Sequence, residues 1–437
     1  GDTLFSLAEE DVHPPMYFVL LGYWTKLFGN SILITRSFSV ICSIFSIFLT
    51  YMLCWELFKS PLISMISSAI VSISPFHILF AQEARMYSLM TLMILLASTL
   101  ILRSMRLRSK RDFLLYSLCL PFGLLTHYFF VFVVVSHGLY VVIHEKFKPT
   151  KLLLYYALSL FFGLVSFLSW LRYVQINSIR CEINASSSFC SELGGSPYNS
   201  GRSLLDNLVV QFGHLRNIFI DLSPGDPGSP FPDIPFYSYI SIFLVFSLIL
   251  YSFYSLICNA PRESSVFIIT MACSTMVPVI LSDMLSGSNK LMVFRYQIPS
   301  YLAIQVSVAF LIAQLISTKT EGYRKLGQYL FVFVTLAGFI SCVAIAQADT
   351  WWLKTNYPPV VQLTEDLKDA EETLFVSYSP PDPILHMVAF KTSLCLAIGF
   401  QRMQSCFFFQ AKVIKFQRLM NSATLYFIRF LKKCNPL

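Results

Sequence analysis

Long apolar runs separated by short polar stretches are the feature that most constrains the fold of this chain. A helix needs roughly 20 apolar residues to cross the hydrocarbon core of a bilayer. Only 13% of the 437 residues are charged, whereas a soluble protein carries roughly 25%. We therefore predict an all-α polytopic membrane protein. The apolar runs are Ile32–Leu57, Leu62–Phe80, Met86–Leu102, Phe113–Val142, Leu152–Tyr173, Phe236–Ile257, Val266–Leu281, Gln297–Ile316 and Leu330–Ala348.

Basic residues are distributed unequally between the two alternating sets of loops. Basic loops stay in the cytoplasm, so we expect the richer set to be cytoplasmic and the chain before Ile32, the long loop and the chain after Asp349 to be outside. The net charge of +8 fits this bias, and we expect no nucleic-acid partner. The poorer set holds Lys26, Arg85, Lys290 and Arg295; the richer set holds Lys59, Arg103, Arg106, Arg108, Lys110, Arg111, Lys146, Lys148, Lys151, Arg262, Lys319, Arg324 and Lys325.

The run Phe113–Val142 lies between two basic clusters that both belong to the cytoplasmic set. The chain must therefore enter the membrane and return, but the run is too short for two full spans at about 1.5 Å per residue. We predict a pair of short helices that turn near Thr126-His127-Tyr128, with His127 beside a cavity open to the outside. An ordinary buried histidine in a tilted helix is the alternative. With this pair, about ten transmembrane helices are expected.

The stretch from Asp11 to Tyr17 places a carboxylate and an imidazole in front of two prolines. Pro15 suits the first turn of a helix, where its missing N–H costs nothing. We predict a juxtamembrane helix over Tyr17–Phe28, ended by Gly29-Asn30. The chain begins at Gly1 in a polar stretch, and we expect that a preceding segment, including a first span, is missing.

Polar residues scattered through the sequence converge on the side that is predicted to be outside. Ionisable groups at membrane depth are costly and usually functional, although for any one of them alone we favour snorkelling or a loop salt bridge such as Glu83 with Arg85. His77 and Glu83 could also bind a cation, but no set of residues has the spacing of a metal site. The candidate site residues are Asp11, His13, Arg36, Glu83, Arg85, Tyr87, His127, Tyr128, Lys290, Arg295 and Tyr296.

The order of these motifs resembles the C-type integral-membrane glycosyltransferases. The matching segments are Asp-x-His-Pro-Pro-x-Tyr with Trp24, Phe-Gly and Arg36, then Ser-Pro-Phe, Gln-Glu-Ala-Arg-Met-Tyr, Thr-His-Tyr and Phe-Arg-Tyr-x-x-Pro. The resemblance extends over residues 4 to 349 and is closest to the protein O-mannosyltransferase and aminoarabinose transferase group, in its bacterial branch of lipopolysaccharide galacturonosyltransferase-like proteins. It implies a GT-C-like fold, in the plasma (inner) membrane of a bacterium, that moves a sugar from a polyprenyl phosphate to a lipid, glycan or protein hydroxyl outside.

The resemblance also implies roles for residues of the site. The family's usual Asp-Glu pair is not found before His13, so Asp11 is the candidate catalytic carboxylate unless the principal one belongs to a missing segment. Arg85, Lys290, Arg295 and His13 would contact the leaving phosphate. No cofactor is expected, and the expected partners are membrane lipids and the polyprenyl-phosphate sugar. A membrane transporter or a lipid-linked glycan flippase or polymerase is the alternative function.

The sequence divides into a membrane domain over residues 1–348 and a C-terminal extra-membrane segment over residues 349–437. Within the first, residues 174–235 are rich in Gly, Ser, Pro and Asn and are predicted to form a large outer loop. A disulfide between Cys181 and Cys190 is possible there, beside a glycosylation pattern at Asn184. Residues 383–437 contain eight basic and no acidic residues, which leaves open an amphipathic surface helix, another crossing or a mistranslated end.

Overall fold

The computed structural model of the chain describes residues 13–183, 204–222, 236–286 and 290–347, together with three strands between residues 373 and 432. In its first half, all the regular elements are helices. They are α1 (Met16–Phe28), α2 (Ile32–Phe58), α3 (Pro61–Ser72), α4 (Pro75–Ala81), α5 (Tyr87–Leu107), α6 (Lys110–Leu124), α7 (Phe130–His144) and α8 (Lys151–Ile183).

The second half continues with helices up to residue 347. They are α9 (Leu204–Asn217), α10 (Phe236–Asn259), α11 (Arg262–Ser286), the 3-10 helices η1 (Lys290–Met292) and η2 (Phe294–Gln297), α12 (Ile298–Ser317) and α13 (Glu321–Gln347). The helix α1 was predicted from Pro15 and Gly29, and it ends at Phe28 as expected. Its neighbour α2 begins where Ser31 accepts a hydrogen bond from the backbone of Ile34, which is a standard N-cap.

Seven described helices are long and apolar enough to cross a membrane, and the bent pair α3–α4 would provide an eighth span. The most buried of them are α5 and α12, which form the centre of the helical bundle. The prediction of a polytopic helical membrane fold is therefore confirmed. The expected number of about ten spans is not confirmed, because α6 and α7 are shorter than a full span.

The run Leu62–Phe80 was predicted as one span, and in the structure it is a bent pair of helices that fits either one broken span or a re-entrant loop. It forms α3 and α4, which meet at an angle of 58°. Pro75 begins α4, and a residue before proline is disfavoured in the helical conformation. Ser74 is accordingly extended, with ψ of 122°, so the helix is interrupted there.

The helices α6 and α7 are the predicted pair of short helices. They are separated by residues 125–129, which contain the Thr126-His127-Tyr128 motif. The two helices approach closely where Gly123 faces the ring of Phe130, since a Cβ built at Gly123 would lie 2.3 Å from that ring. The predicted position of this turn is confirmed.

The predicted outer loop over residues 174–235 contains more helix than expected. The helix α8 continues to Ile183, ten residues beyond the predicted end at Tyr173, because this stretch has no glycine or proline to stop it. The helix α9 lies further along the same loop. Asn184 and Cys190 lie outside the described residues, so the disulfide stays a prediction.

The C-terminal segment contains a three-stranded antiparallel sheet in the order β1-β3-β2, and the three expectations for residues 383–437 did not include it. Its strands are β1 (Thr373–Ser379), β2 (Phe409–Phe416) and β3 (Thr424–Lys432). Thr373 pairs with Phe430, and Phe409 pairs with Lys432. Aromatic and β-branched residues favour strands, so the all-α description holds for the membrane domain and not for this segment.

By its internal contacts the chain divides into two units. The first contains Gly1–Leu222 and Pro235–Val343, and the second contains Ser223–Ile234 and Ala344–Leu437. All the described candidate site residues belong to the first unit. The predicted domain boundary after residue 348 stays a prediction.

Candidate functional site

The ring of His127 lies at the centre of a cluster of aromatic side chains. Its centroid is 6.4 Å from that of His13, 6.0 Å from Tyr87, 5.6 Å from Phe129 and 6.3 Å from Tyr296. Only 3% of His127 is exposed. These rings cover most of the histidine, and its position beside a cavity open to the outside stays a prediction.

Backbone hydrogen bonds bring the beginning of α1 to the turn between α6 and α7. The amide of Met16 donates to the carbonyl of Leu125 over 3.0 Å. The amide of Phe129 donates to Nδ1 of His127 over 3.2 Å. Because Nδ1 accepts a hydrogen bond, the neutral ring carries its proton on Nε2.

Burial of His127 is the main reason why its pKa is lowered to about 3, and the nearby His13 and Arg295 lower it further. A histidine has an ordinary pKa of about 6.5. The ring is therefore neutral at physiological pH. It can donate one hydrogen bond through Nε2, and it is not a cation that could balance a phosphate.

The cation of the cluster is Arg295, in η2. Its guanidinium carbon lies 5.7 Å from the ring centroid of Tyr87 and 5.6 Å from that of Tyr296. Tyr296 in turn stacks on Phe129, with centroids 4.2 Å apart and an angle of 12° between the rings. Such cation–π contacts fix a guanidinium in place without using its N–H donors.

Arg85 and Glu83 lie at the edge of the same cluster. Arg85 is exposed and acts electrostatically on Tyr87. Glu83 is half-buried and acts electrostatically on Tyr17. Burial is the main cause that raises the pKa of Tyr17 to about 12, and its hydroxyl lies 3.0 Å from that of Ser39. Tyr17 thus stays neutral and anchors α1 on α2.

The other candidate residues lie in different contacts. Tyr128 accepts a hydrogen bond of 3.1 Å from the indole of Trp170, and exposed Lys290 donates to the hydroxyl of Ser282 over 2.7 Å. Arg36 is exposed on α2. Asp11 lies outside the described residues.

His77 is part of the packed interior. Its Nε2 is 3.0 Å from the side-chain oxygen of Gln305, and the amide nitrogen of Gln305 donates to Ser74. Nε2 of His77 therefore already has a protein partner, and the alternative that His77 and Glu83 hold a cation stays a prediction. Among the described residues, no group of three or more His, Cys, Asp or Glu side chains could hold a metal ion.

Several residues of this region were not predicted from the sequence. Phe129 supports both His127 and Tyr296, and Trp170 binds Tyr128 from the distant helix α8. An aromatic residue inside an apolar run gives no signal of its own, since such residues are common in cores. The position of Phe129 directly after the Thr-His-Tyr motif is the only indication that the sequence offers.

Comparisons with known proteins agree with this description. Residues 12–170 match the sequence model of a family described as dolichyl-phosphate-mannose-protein mannosyltransferase. That segment contains His13, Tyr87 and His127, whereas Arg295 lies beyond it. No curated protein sequence matches the chain.

Two solved structures of the Archaeoglobus fulgidus oligosaccharyltransferase are similar to the chain. The apo crystal structure has 11% sequence identity and a TM-score of 0.47 over 83% of this chain and 51% of that one. The complex of AglB with an inhibitory peptide and a dolichol-phosphate has 12% identity and a TM-score of 0.46 over 82% and 50%. The chain spans about half the length of these structures.

The family match concerns the part of the chain that carries most of the motifs quoted above. It does not distinguish among the subgroups of the family, so the bacterial branch stays a prediction. The resemblance itself is confirmed: over residues 12–170 the chain is similar to the dolichyl-phosphate-mannose-protein mannosyltransferase family of membrane glycosyltransferases.

Proposed function

We propose that the protein is a glycosyltransferase that moves a sugar from a polyprenyl phosphate to a hydroxyl acceptor on the extracytoplasmic side of the plasma (inner) membrane. The observation that carries the proposal is the position of Arg295, held over Tyr87 and Tyr296 next to His127. It supports the proposal because two of these residues, Tyr87 and His127, lie in the segment that matches a family of sugar transferases.

The charge of the cluster suits a phosphate leaving group. In the transfer, the acceptor oxygen bonds to the anomeric carbon while the bond from that carbon to the phosphate oxygen breaks, and negative charge grows on the phosphate. A guanidinium in a largely desolvated setting stabilises such charge. Arg295 would contact the phosphate oxygens, with Arg85 at the exposed edge of the cluster.

The acceptor hydroxyl loses its proton as it attacks, so a carboxylate must receive that proton. Neutral His127 is a poor candidate because its Nδ1 already accepts a hydrogen bond from Phe129. Its Nε2–H is suited instead to orient an oxygen of the sugar or of the phosphate. Asp11 is the proposed base, two residues before His13.

The family resemblance supports the finer parts of the proposal. The transferred sugar would be a hexose or pentose, and the acceptor a lipid, a glycan or a protein. The donor would be a polyprenyl-phosphate sugar and not a nucleotide sugar, because the motifs resemble those of lipid-dependent enzymes.

A transporter would be favoured by a helix that is broken in the membrane around a binding site, and α3–α4 is such a broken helix. At the break, however, the hydroxyl of Ser74 is bonded to other parts of the protein. The hydroxyl of Ser74 donates to the carbonyl of Ile218 and accepts from Gln305. The joint is therefore packed, which favours the enzyme.

Transfer by the purified protein in lipid nanodiscs tests the proposal. The protein is given polyprenyl-phosphate sugars with a radioactive sugar, and release of polyprenyl phosphate and labelled product is measured. We expect Arg295→Gln to lower kcat/KM at least about tenfold, since a charge-assisted hydrogen bond contributes about 1.5–3 kcal/mol. Lysine should restore only part of the rate because it lacks the planar fork of arginine.

Arg324→Gln is the matched control, because Arg324 is exposed in the first turn of α13 and belongs to the loops predicted to be cytoplasmic. Its rate should equal that of the wild type. Asp11→Asn should abolish transfer and leave donor binding intact. Wild-type rates for both Arg295→Gln and Asp11→Asn would contradict the assigned roles, and uptake of a solute without any sugar transfer would favour a transporter.

A further inference from the structure

The segment that carries Arg295 is held by contacts from outside itself. Residues 290–297 form η1 and η2, and 3-10 helices have weaker hydrogen-bond geometry than α-helices. At its beginning, both oxygens of the Asp283 carboxylate accept backbone hydrogen bonds of 2.9 Å, from the amides of Lys290 and Leu291. This fixes the start of the segment but not its continuation to Arg295.

His214 of α9 contacts the segment at two further points. Its ring centroid lies 4.8 Å from that of Phe294, and the backbone of Leu291 acts on it as a hydrogen-bonding partner that raises its pKa. Its Nδ1 atom is buried and makes no hydrogen bond with any residue that the structure describes, so we infer that Nε2–H is the group that faces the carbonyl of Leu291. Burial lowers the pKa of His214 to about 4, so the ring is neutral at physiological pH.

Phe294 is well placed to transmit this restraint. It is 6% exposed and its ring packs against Phe76 of α4 and Tyr301 of α12, at centroid distances of 4.5 and 5.2 Å. His214 contacts it in addition to these two rings. The next residue is Arg295, whose guanidinium lies over Tyr87. A shift of Phe294 would therefore displace Arg295.

The helix α9 is itself anchored, so that His214 has a fixed position. Gln211 donates to the hydroxyl of Tyr301 over 3.2 Å. After the helix, the carbonyl of Ile218 accepts from Ser74 over 2.8 Å, and the amide of Asp221 donates to Ser341 over 2.9 Å. These bonds attach the described part of the predicted outer loop to α12, to the joint of α3 and α4, and to α13.

From these contacts we propose that His214 is a positioning residue, which holds residues 290–297 so that Arg295 stays over Tyr87. The catalytic consequence rests on the function proposed above. Arg295 would stabilise the leaving phosphate, so loss of its position should affect kcat more than the KM of the donor. The part of the loop that contains α9 would thereby belong to the functional site.

Two substitutions separate the hydrogen bond from the packing of the ring. His214→Phe keeps a ring against Phe294 but removes the donor to Leu291. His214→Gln keeps an N–H donor at a similar distance from the backbone. We expect kcat to fall about tenfold in the first variant and to recover to within about threefold of the wild type in the second. His144→Phe is the matched control, because His144 is the last residue of α7, at the end opposite to the turn that contains His127. This variant should keep the wild-type rate.

Amide hydrogen exchange of residues 290–297 tests the positioning without reference to activity. We expect faster exchange there in His214→Phe and wild-type exchange in His214→Gln and His144→Phe. A His214→Phe protein that exchanges faster along the whole chain folds poorly, and the test then depends on His214→Gln. Faster exchange of residues 290–297 in His214→Gln overturns the proposal.

The two proposals fail in different ways. Unchanged exchange in His214→Phe overturns the positioning role even if the wild type transfers sugar. Conversely, a wild type that transfers no sugar contradicts the function, while local exchange that increases in His214→Phe and is restored in His214→Gln still supports the positioning role.

Discussion

The guanidinium of Arg295 lies over the ring of Tyr87, 5.7 Å from its centroid, and this contact joins two distant parts of the sequence. Tyr87 begins α5, whereas Arg295 lies in η2. The contact brings the beginning of α5 to the segment before α12. Such a contact with the face of a ring does not use the N–H donors of a guanidinium.

Replacement of Tyr87 tests whether this contact matters for transfer. Tyr87→Phe keeps the ring below Arg295 and loses only the hydroxyl group, whereas Tyr87→Leu loses the ring as well. A cation–π contact contributes about 0.5–2 kcal/mol, so we expect kcat/KM of Tyr87→Leu to be about two- to thirtyfold below that of Tyr87→Phe. Equal values for the two variants would show that the aromatic face does not hold the cation.

The sequence was sufficient to predict the elements that follow from local rules. The length of Phe113–Val142 and its two basic flanks predicted the paired helices α6 and α7. Both flanks belong on the cytoplasmic side, so the chain must enter the membrane and return, and the run is too short for two full spans. Pro15 and Gly29 likewise predicted α1. For the site, the motifs predicted the meeting of His13, Tyr87, His127 and Arg295.

The remaining features depend on contacts that no local rule predicts. The helix α9 lies in a segment of low hydropathy and is attached through Gln211, Ile218 and Asp221 to three distant elements. The burial of His127 depends on rings from four different parts of the chain, and no local rule predicts that these rings meet. The break at Ser74-Pro75 was present in the sequence, but the apolar run around it favoured a continuous span.

Two glycines offer a matched test of helix packing. A Cβ at Gly123 would lie within 2.3–2.6 Å of ring atoms of Phe130, whereas a Cβ at Gly213 of α9 would meet nothing within 4 Å. We expect Gly123→Ala to destabilise the protein by about 1–3 kcal/mol, because the added methyl group overpacks the α6–α7 turn. Gly213→Ala should be neutral or stabilise it by up to about 1 kcal/mol.

Thermal unfolding in detergent, followed by tryptophan fluorescence, measures both glycine variants. Phe130→Leu should partly restore the melting temperature when it is combined with Gly123→Ala, because the smaller side chain leaves room for the new methyl group. A Gly123→Ala protein as stable as Gly213→Ala would mean that the two helices are less close than the structure shows.

Acid should destabilise the protein through His127. Its pKa is about 3 in the folded chain and about 6.5 in the unfolded chain, so between these values only the unfolded chain binds the proton. The free energy of unfolding therefore falls as the pH decreases below 6.5, by up to about 1.4 kcal/mol per pH unit from this residue. Above pH 6.5 this residue has no such effect.

The melting temperature of the wild type, measured from pH 8 to pH 4, is compared with that of His127→Asn. Asparagine cannot titrate in this range, and its oxygen can accept the hydrogen bond from the amide of Phe129. We expect a shallower loss of stability below pH 6.5 in the variant. Parallel curves would show that His127 is not kept neutral by burial.

The orientation of the chain decides on which side of the membrane the cluster around His127 lies. It was predicted from the basic loops, and single cysteines can test it after the eleven native cysteines have been replaced by serine. Asn30 is exposed between α1 and α2, and exposed Ser317 ends α12. In intact cells an impermeant thiol reagent should label Asn30→Cys, whereas Ser109→Cys and Ser317→Cys should react only after permeabilisation. Labelling of Ser109→Cys from outside would place His127 and Arg295 on the cytoplasmic side, where the proposed lipid-linked donor and acceptor would have to be sought instead.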